Sequence, residues 1–302
     1  MENISTLIMV LTPMFIGFAI HLPKTFLPIL DKLLNILVYI ILAFIGMGLA
    51  KVDNLLSQIN DIALYVAILF GLLILCNLVA LQLFDRFFPA TFNIKTNKNS
   101  KKISISGSLK QLSMVALGLI FGLMLPENAL PPEKTGTYAL MLLIGIVGIQ
   151  LRSNGIPLRQ VLLNKRGLQV SIIFMLSCAA AGLLFALCFE PISWHQGLAL
   201  ASGYGWYSLS GIVMTQAYGA TWGSVALLND LLREFFALAF IPALMRHSPA
   251  SAVGIGGATS LDFTLPIIQS SGGLAVVPLA ISFGFVVNLL SPILMVMFSS
   301  LS

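Results

Sequence analysis

The chain has 302 residues, of which 58% are hydrophobic and only 9% charged, against roughly a quarter charged in ordinary globular domains. With a mean hydropathy of +0.98, this composition excludes a soluble enzyme or binding domain and leaves an all-α polytopic membrane protein. The net charge of +5 reads as a signal for orientation in the lipid bilayer, not for nucleic-acid binding.

Apolar runs are expected at about 3–20, 33–50, 62–84, 112–126, 137–151, 168–190, 196–218, 223–245, 252–270 and 275–299. Most approach the ~20 residues that cross a bilayer as a helix, and no stretch between them is long enough for a soluble domain. Residues 1–302 therefore read as a single transmembrane transporter domain. The first run, Ile4–Ile20, has neither a basic n-region nor a small-residue cleavage pattern, so it is expected to stay as a span.

Basic residues then choose the orientation, because short loops rich in Lys and Arg remain cytoplasmic. Lys24 and Lys32 follow the first run. Arg86, Lys95, Lys98, Lys101, Lys102 and Lys110 follow the third, and Arg152, Arg159, Lys165 and Arg166 follow the fifth. On the opposite set of loops stand Lys51 and Lys134. Both termini are expected outside, with 85–111 a basic, solvated cytoplasmic loop. If all ten runs cross, Arg246 and His247 fall on the wrong side. If Gln196–Tyr218 and Ala252–Gly273 each leave on the side they enter, Arg246 returns to the cytoplasm. Glycines at 203, 205, 211, 254, 256, 257, 272 and 273, with Pro266, suit such broken backbone, which survives in a membrane only where protein or a wet cavity satisfies it. The expectation is about eight full transmembrane helices plus two broken or re-entrant segments, or up to ten spans if every run crosses.

Internal echoes point to inverted repeats. Tyr39–Gly46 resembles Tyr138–Gly145 three spans later, and an odd interval inverts the second copy. Ser202-Gly203 followed by Ile241-Pro242 parallels Gly256-Gly257 followed by Ser291-Pro292. Gly118 and Gly122 make a small-xxx-small pattern suited to helix packing. Cys76, Cys178 and Cys188 lie in apolar runs and are expected to be buried small side chains, not metal ligands or disulfides. His21, His195 and His247 sit at run ends with no assigned role. No nucleotide-binding, hydrolase or metalloprotease motif is present, so neither catalysis nor a cofactor is expected.

The chemistry concentrates in two late runs. Asp230, Arg233 and Glu234 stand near the middle of 223–245, and Asp262 stands inside 252–270. An ionised group at bilayer depth costs roughly 3 kcal/mol on insertion scales, so such residues mark function by default. On a helix Asp230 is spaced to pair with Arg233, and Asn229 lies close enough to join them. A carboxylate such as Glu234 in this setting can cycle between protonated and ionised forms or accept a cation. Asp262 sits among Thr259, Ser260 and Thr264, between glycines and a proline that unwind a helix and expose its ends to ions and zwitterions; it also suits an N-cap. In the third segment Ser208 and Ser210 supply hydroxyls, freed amides suit a carboxylate, and Trp206 or Tyr207 suits an alkyl-ammonium through cation–π contact. The residues thus describe a transporter of a cation-bearing substrate, with an inorganic-cation/proton antiporter as the alternative.

The stretches Ala201-Ser-Gly-Tyr-Gly-Trp-Tyr-Ser-Leu-Ser-Gly211, Asn229-Asp-Leu-Leu-Arg-Glu234 and Gly256-Gly-Ala-Thr-Ser-Leu-Asp-Phe-Thr-Leu-Pro266 resemble the bacterial LysO lysine exporter family. So do Val147-Gly-Ile-Gln-Leu-Arg-Ser-Asn-Gly155 and Asn164-Lys-Arg-Gly167. The resemblance implies an inner-membrane exporter of L-lysine and toxic analogues such as thialysine, N-out and C-out, with Glu234 and Asp262 as the functional intramembrane pair. Protons are the expected coupling partner, because moving a cation outward opposes the membrane potential.

Overall fold

A backbone in hydrocarbon must satisfy its own polar groups, and helices do so within one segment. The computed structural model describes residues 12–13, 15–50, 55–89, 106–126, 134–153, 164–261, 263–273 and 275–301, and among them every regular element is helical. In chain order these are α1 (Leu27–Ala50), α2 (Leu55–Phe87), α3 (Ser106–Met124), α4 (Lys134–Ser153), α5 (Lys165–Cys188), α6 (Trp194–Ala201), α7 (Tyr207–Tyr218), α8 (Ala220–Leu244), α9 (Pro249–Gly254), α10 (Leu265–Gly272) and α11 (Val277–Ser299). Short 3-10 turns precede α1 at Lys24–Phe26 and separate α9 from α10 at Gly257–Leu261. The expected runs match these helices, but the first three described helices, Leu27–Ala50, Leu55–Phe87 and Ser106–Met124, begin six or seven residues earlier than 33, 62 and 112, and 196–218 and 252–270 are each divided. Much of the 85–111 loop and the first run lie outside the described residues.

Side chains meeting at each end of the bundle show how the divided segments run. At one end Arg166, opening α5, forms an ion pair with Asp85 near the close of α2. Asp85 also accepts from Ser248 Oγ at 2.6 Å and from the Ala250 amide at 2.8 Å, which seats the start of α9 there. The far end of α10 returns to the same place, since a Cβ on Gly272 would lie 2.8 Å from Met245 Sδ. The start of α11 is there too, with Ser282 against Gly167 of α5. At the other end Tyr65 packs on Phe189 and Trp222, with centroids 4.8 and 5.0 Å apart. His195, opening α6, meets the Tyr218 hydroxyl that closes α7 at 3.1 Å. The pair α6–α7 and the pair α9–α10 are therefore hairpins that enter from opposite ends. Arg246, His247 and Ser248 share the end that holds Arg86 and Arg166, as the re-entrant arrangement requires.

In the first half glycines stand where helices come closest. A Cβ on Gly46 would lie 3.0 Å from the Gly118 α-carbon, and one on Gly17 would lie 3.0 Å from the Gly145 carbonyl carbon. The two glycines matched in the sequence echo, Gly46 and Gly145, thus each receive a partner helix at close range. Gly118 and Gly122 press on Ala43 and Met47 of α1, at 2.8 and 2.9 Å for an added Cβ, so the small-xxx-small pattern is a helix contact.

The outer surface is apolar. Leu176 is 65% exposed, Leu187 82% and Met124 76%, which suits lipid and not water. Among the described residues four helices are long and apolar enough to cross a membrane by composition alone; α8 has the length, 25 residues, but carries the three ionisable residues at its centre. Cys178 is buried as expected, whereas Cys188 is exposed and Cys76 only half-buried. The correction has a simple cause: in a membrane, an apolar run faces lipid on its outer side as readily as the core.

Candidate functional site

The two hairpins meet where both are broken. Between α6 and α7 the chain turns through Tyr204 at φ 53° and Gly205 at φ 88°. Between α9 and α10 it turns at Gly257, φ 56°. The Ala258 amide donates to the Tyr204 carbonyl at 2.8 Å, joining the breaks. Gly257 is required twice over, because a Cβ there would also run into the Tyr204 carbonyl. Helix α8 crosses both breaks, and Asn229, Asp230, Arg233 and Glu234 are between 1% and 3% exposed.

Asp230 and Arg233 of α8 serve different breaks. Asp230 faces the first. Ser210 Oγ donates to its Oδ2 at 2.6 Å and Asn229 Nδ2 to its Oδ1 at 3.0 Å, while the Gly205 amide also bonds the carboxylate. Gly203 lets the backbone come this near, since a Cβ would stand 2.7 Å from Asp230 Oδ2. The carboxylate thus lies by the N-terminal side of α7, where a helix end favours an anion. Arg233 faces the second. Its Nε donates to the Ile255 carbonyl at 3.1 Å and Nη2 to the Gly254 carbonyl at 3.4 Å, closing the C-terminal end of α9, where cations are favoured. Its guanidinium carbon lies 4.8 Å from the centre of the Phe174 ring, a cation–π distance.

The expected Asp230–Arg233 pair is therefore corrected: among the described residues they form no direct ion pair. Spacing on one helix brings two side chains within reach, but the carbonyls and amides freed at the two breaks compete for them. Glu234 is 3% exposed and engaged by a partner of its own. Asp262 lies outside the described residues. Of the hydroxyls around it, Ser260 Oγ donates to the Val253 carbonyl at 2.6 Å and Thr259 Oγ1 to the Gly256 carbonyl at 2.7 Å. Thr264 is fully buried, 3.4 Å from Thr259. These three residues close the second break from within. Ser208 is buried on α7 and Trp206 half-buried at its start.

Sequence reasoning missed the groups that finish both breaks from α11. Ser291 Oγ donates to the Ser202 carbonyl at 2.8 Å, and Asn288 Nδ2 to the Ala258 carbonyl at 2.7 Å. The echo containing Ser291-Pro292 was the available signal, read only as a repeat. Phe174 under Arg233 had no signal beyond its apolar run. Two of the polar atoms at the crossing, Arg233 Nη1 and Asn229 Oδ1, are buried with no hydrogen-bond partner among the described residues. The arrangement can hold opposite charges at separate points in a dry interior, which suits a zwitterion better than a bare ion.

Comparison with known proteins places the chain among described relatives. The family model described as lysine exporter LysO matches residues 112–299, a span that includes both hairpins and α8. An Escherichia coli K12 protein named lysine exporter LysO is 41% identical over 299 residues, covering 98% of this chain and 99% of that protein. A Haemophilus influenzae Rd protein, provisionally named a lysine exporter, is 51% identical over 190 residues, covering 63% of this chain and 96% of its own length. No solved structure matches the chain significantly.

Proposed function

The chain belongs to the LysO lysine-exporter family, and on that premise we propose that it is a secondary transporter exporting L-lysine, and toxic analogues such as thialysine, across the bacterial inner membrane by proton antiport. The observation that carries the reading is the crossing of two oppositely entering hairpins at a helix with three buried ionisable residues. Broken helices at mid-membrane are how secondary transporters present helix ends to charged substrates.

In this reading the end holding Arg86, Arg166 and Arg246 is cytoplasmic, both termini are outside, and eight helices cross fully. The contact of Ser248 with Asp85 supports that count. A cavity of about 690 Å3 opens at this end, lined by Gln82, Asp85, Arg86, Phe240, His247 and Ser248 among others. Glu234 and Asp262 are the residues that hold the side-chain ammonium of lysine and exchange it for a proton. Moving one positive charge outward against 100 mV costs about 2.3 kcal/mol, so a compensating proton enters for each lysine that leaves.

The test is transport by everted membrane vesicles carrying the protein. Lysine uptake on energisation supports the reading. Sodium-dependent proton flux with no lysine flux would instead establish the inorganic-cation/proton antiporter.

A further inference from the structure

The two orphaned atoms at the hairpin crossing have opposite chemistry and belong to residues on one face of α8. Among the described residues Arg233 Nη1, a cationic donor, and Asn229 Oδ1, an acceptor, have no hydrogen-bond partner and are inaccessible to solvent; the guanidinium as a whole also approaches the buried Cys178 thiol. Leaving either unsatisfied in the interior is costly, and native structures retain few such groups without a reason. Nor is the side-chain amide free to turn round and escape the problem. Its Nδ2 is committed to Asp230 Oδ1 at 3.0 Å, which aims Oδ1 elsewhere. The guanidinium is equally fixed, by Ile255 and Gly254 on one side and the Phe174 ring on its face. Asn229 and Arg233 are four residues apart on α8, hence on one face with Cβ atoms about 6 Å apart.

We propose that Arg233 Nη1 and Asn229 Oδ1 are the two halves of an α-amino-acid headgroup site: the guanidinium takes the α-carboxylate and the amide oxygen takes the α-ammonium. Both charges of that headgroup are borne on one carbon, so a donor and an acceptor on one helix face can bind them together. The inference rests on the reading of the protein as a lysine exporter and divides the substrate between two sets of residues. Glu234 and Asp262 read the distal ammonium, and Asn229 with Arg233 reads the headgroup. Specificity follows from the second set. A diamine lacking the carboxylate leaves Arg233 Nη1 unpaired, and a site built to bond a polar group discriminates strongly against an analogue without it. The atoms are closed off in the conformation described, so the headgroup binds when the two hairpins part.

The experiment measures binding to the purified full-length protein, by calorimetry or ligand-dependent thermal stabilisation, for four probes. They are L-lysine, cadaverine (no carboxylate), 6-aminohexanoate (no α-ammonium) and L-norleucine (no distal ammonium). Cadaverine and 6-aminohexanoate should each bind at least about tenfold more weakly than lysine, the worth of one charge-assisted hydrogen bond. L-Norleucine should displace lysine weakly. Cadaverine binding as tightly as lysine would overturn the headgroup site while leaving a cation exporter intact. Sodium binding with no response to any of the four would overturn both readings. Arg233→Lys should bring the lysine-to-cadaverine ratio close to one, and Asn229→Ser should do the same for lysine against 6-aminohexanoate. A purely structural Arg233 would lower stability and leave that ratio at its wild-type value. Should either variant fail to fold, the four-probe series on the wild-type protein still decides.

Discussion

At the scale of single residues, neighbours on α8 have different duties, so their variants should fail differently. Glu234→Gln and Asp262→Asn each remove a charge proposed to carry substrate or proton, and the other carboxylate of α8, Asp230, is already held by Ser210 and Asn229. Each should abolish lysine efflux while membrane abundance stays near wild type; wild-type efflux from either would remove that residue from the site. Asp230→Asn should instead lower abundance. Its carboxylate accepts from Ser210, Asn229 and Gly205, and an amide in its place would set N–H against N–H. Losing one charge-assisted hydrogen bond from such a set costs roughly 1.5–3 kcal/mol, readable as a lowered unfolding midpoint in detergent. Ser210→Ala removes one charge-assisted bond and should cost roughly 1.5–3 kcal/mol. Normal abundance with a selective transport defect in Asp230→Asn would show that Asp230 binds substrate and is not part of the frame.

At the scale of elements, the hairpins depend on glycines of two kinds. Gly257 has positive φ and no room for a Cβ against the Tyr204 carbonyl, so Gly257→Ala should separate the two breaks and abolish export. Gly273 also has positive φ, 75°, but open space around it. Gly273→Ala should therefore cost only the strain of a backbone region, φ 75° and ψ −176°, that glycine alone adopts readily, about 1–3 kcal/mol, and keep transport. Equal loss in both variants would mean that conformation, and not the contact between hairpins, is what Gly257 provides. The hairpins also make a labelling prediction. In a cysteine-free background, single cysteines at Trp194 and Ala217 should react with an impermeant reagent from outside, since both are exposed and lie at the two feet of α6–α7. A cysteine at His247, exposed at the opposite end, should react only once the membrane is opened. Reaction at 247 in intact cells would restore the ten-span arrangement.

For the molecule as a whole, the proposed proton antiport ties the rate of export to an inward flow of charge. An imposed proton gradient across proteoliposomes should drive lysine accumulation, and a protonophore should collapse it. Lysine flux that ignores the protonophore and follows a sodium gradient would exclude proton coupling. Two hairpins entering from opposite ends also give each face of the membrane its own broken helix, joined at present by the Ala258–Tyr204 bond. Movement of one hairpin against the other can then open the crossing to either side in turn.

The amino-acid sequence by itself determined that this is a helical membrane protein, where its apolar runs lie, and that two of them break at Gly-rich stretches. Those features are local: in hydrocarbon each backbone group must find a partner within its own segment, and glycine and proline decide where it cannot. The sequence also singled out Asp230, Arg233 and Glu234, because ionised groups are conspicuous in so apolar a chain. Only the tertiary structure decided what they hold. Helical spacing put Asp230 beside Arg233, yet the amides of one break and the carbonyls of the other, supplied by segments more than twenty residues away in the chain, claimed them separately. Partner choice at a buried charge is a competition among all groups within reach, and distance along the chain says nothing about which of them arrive.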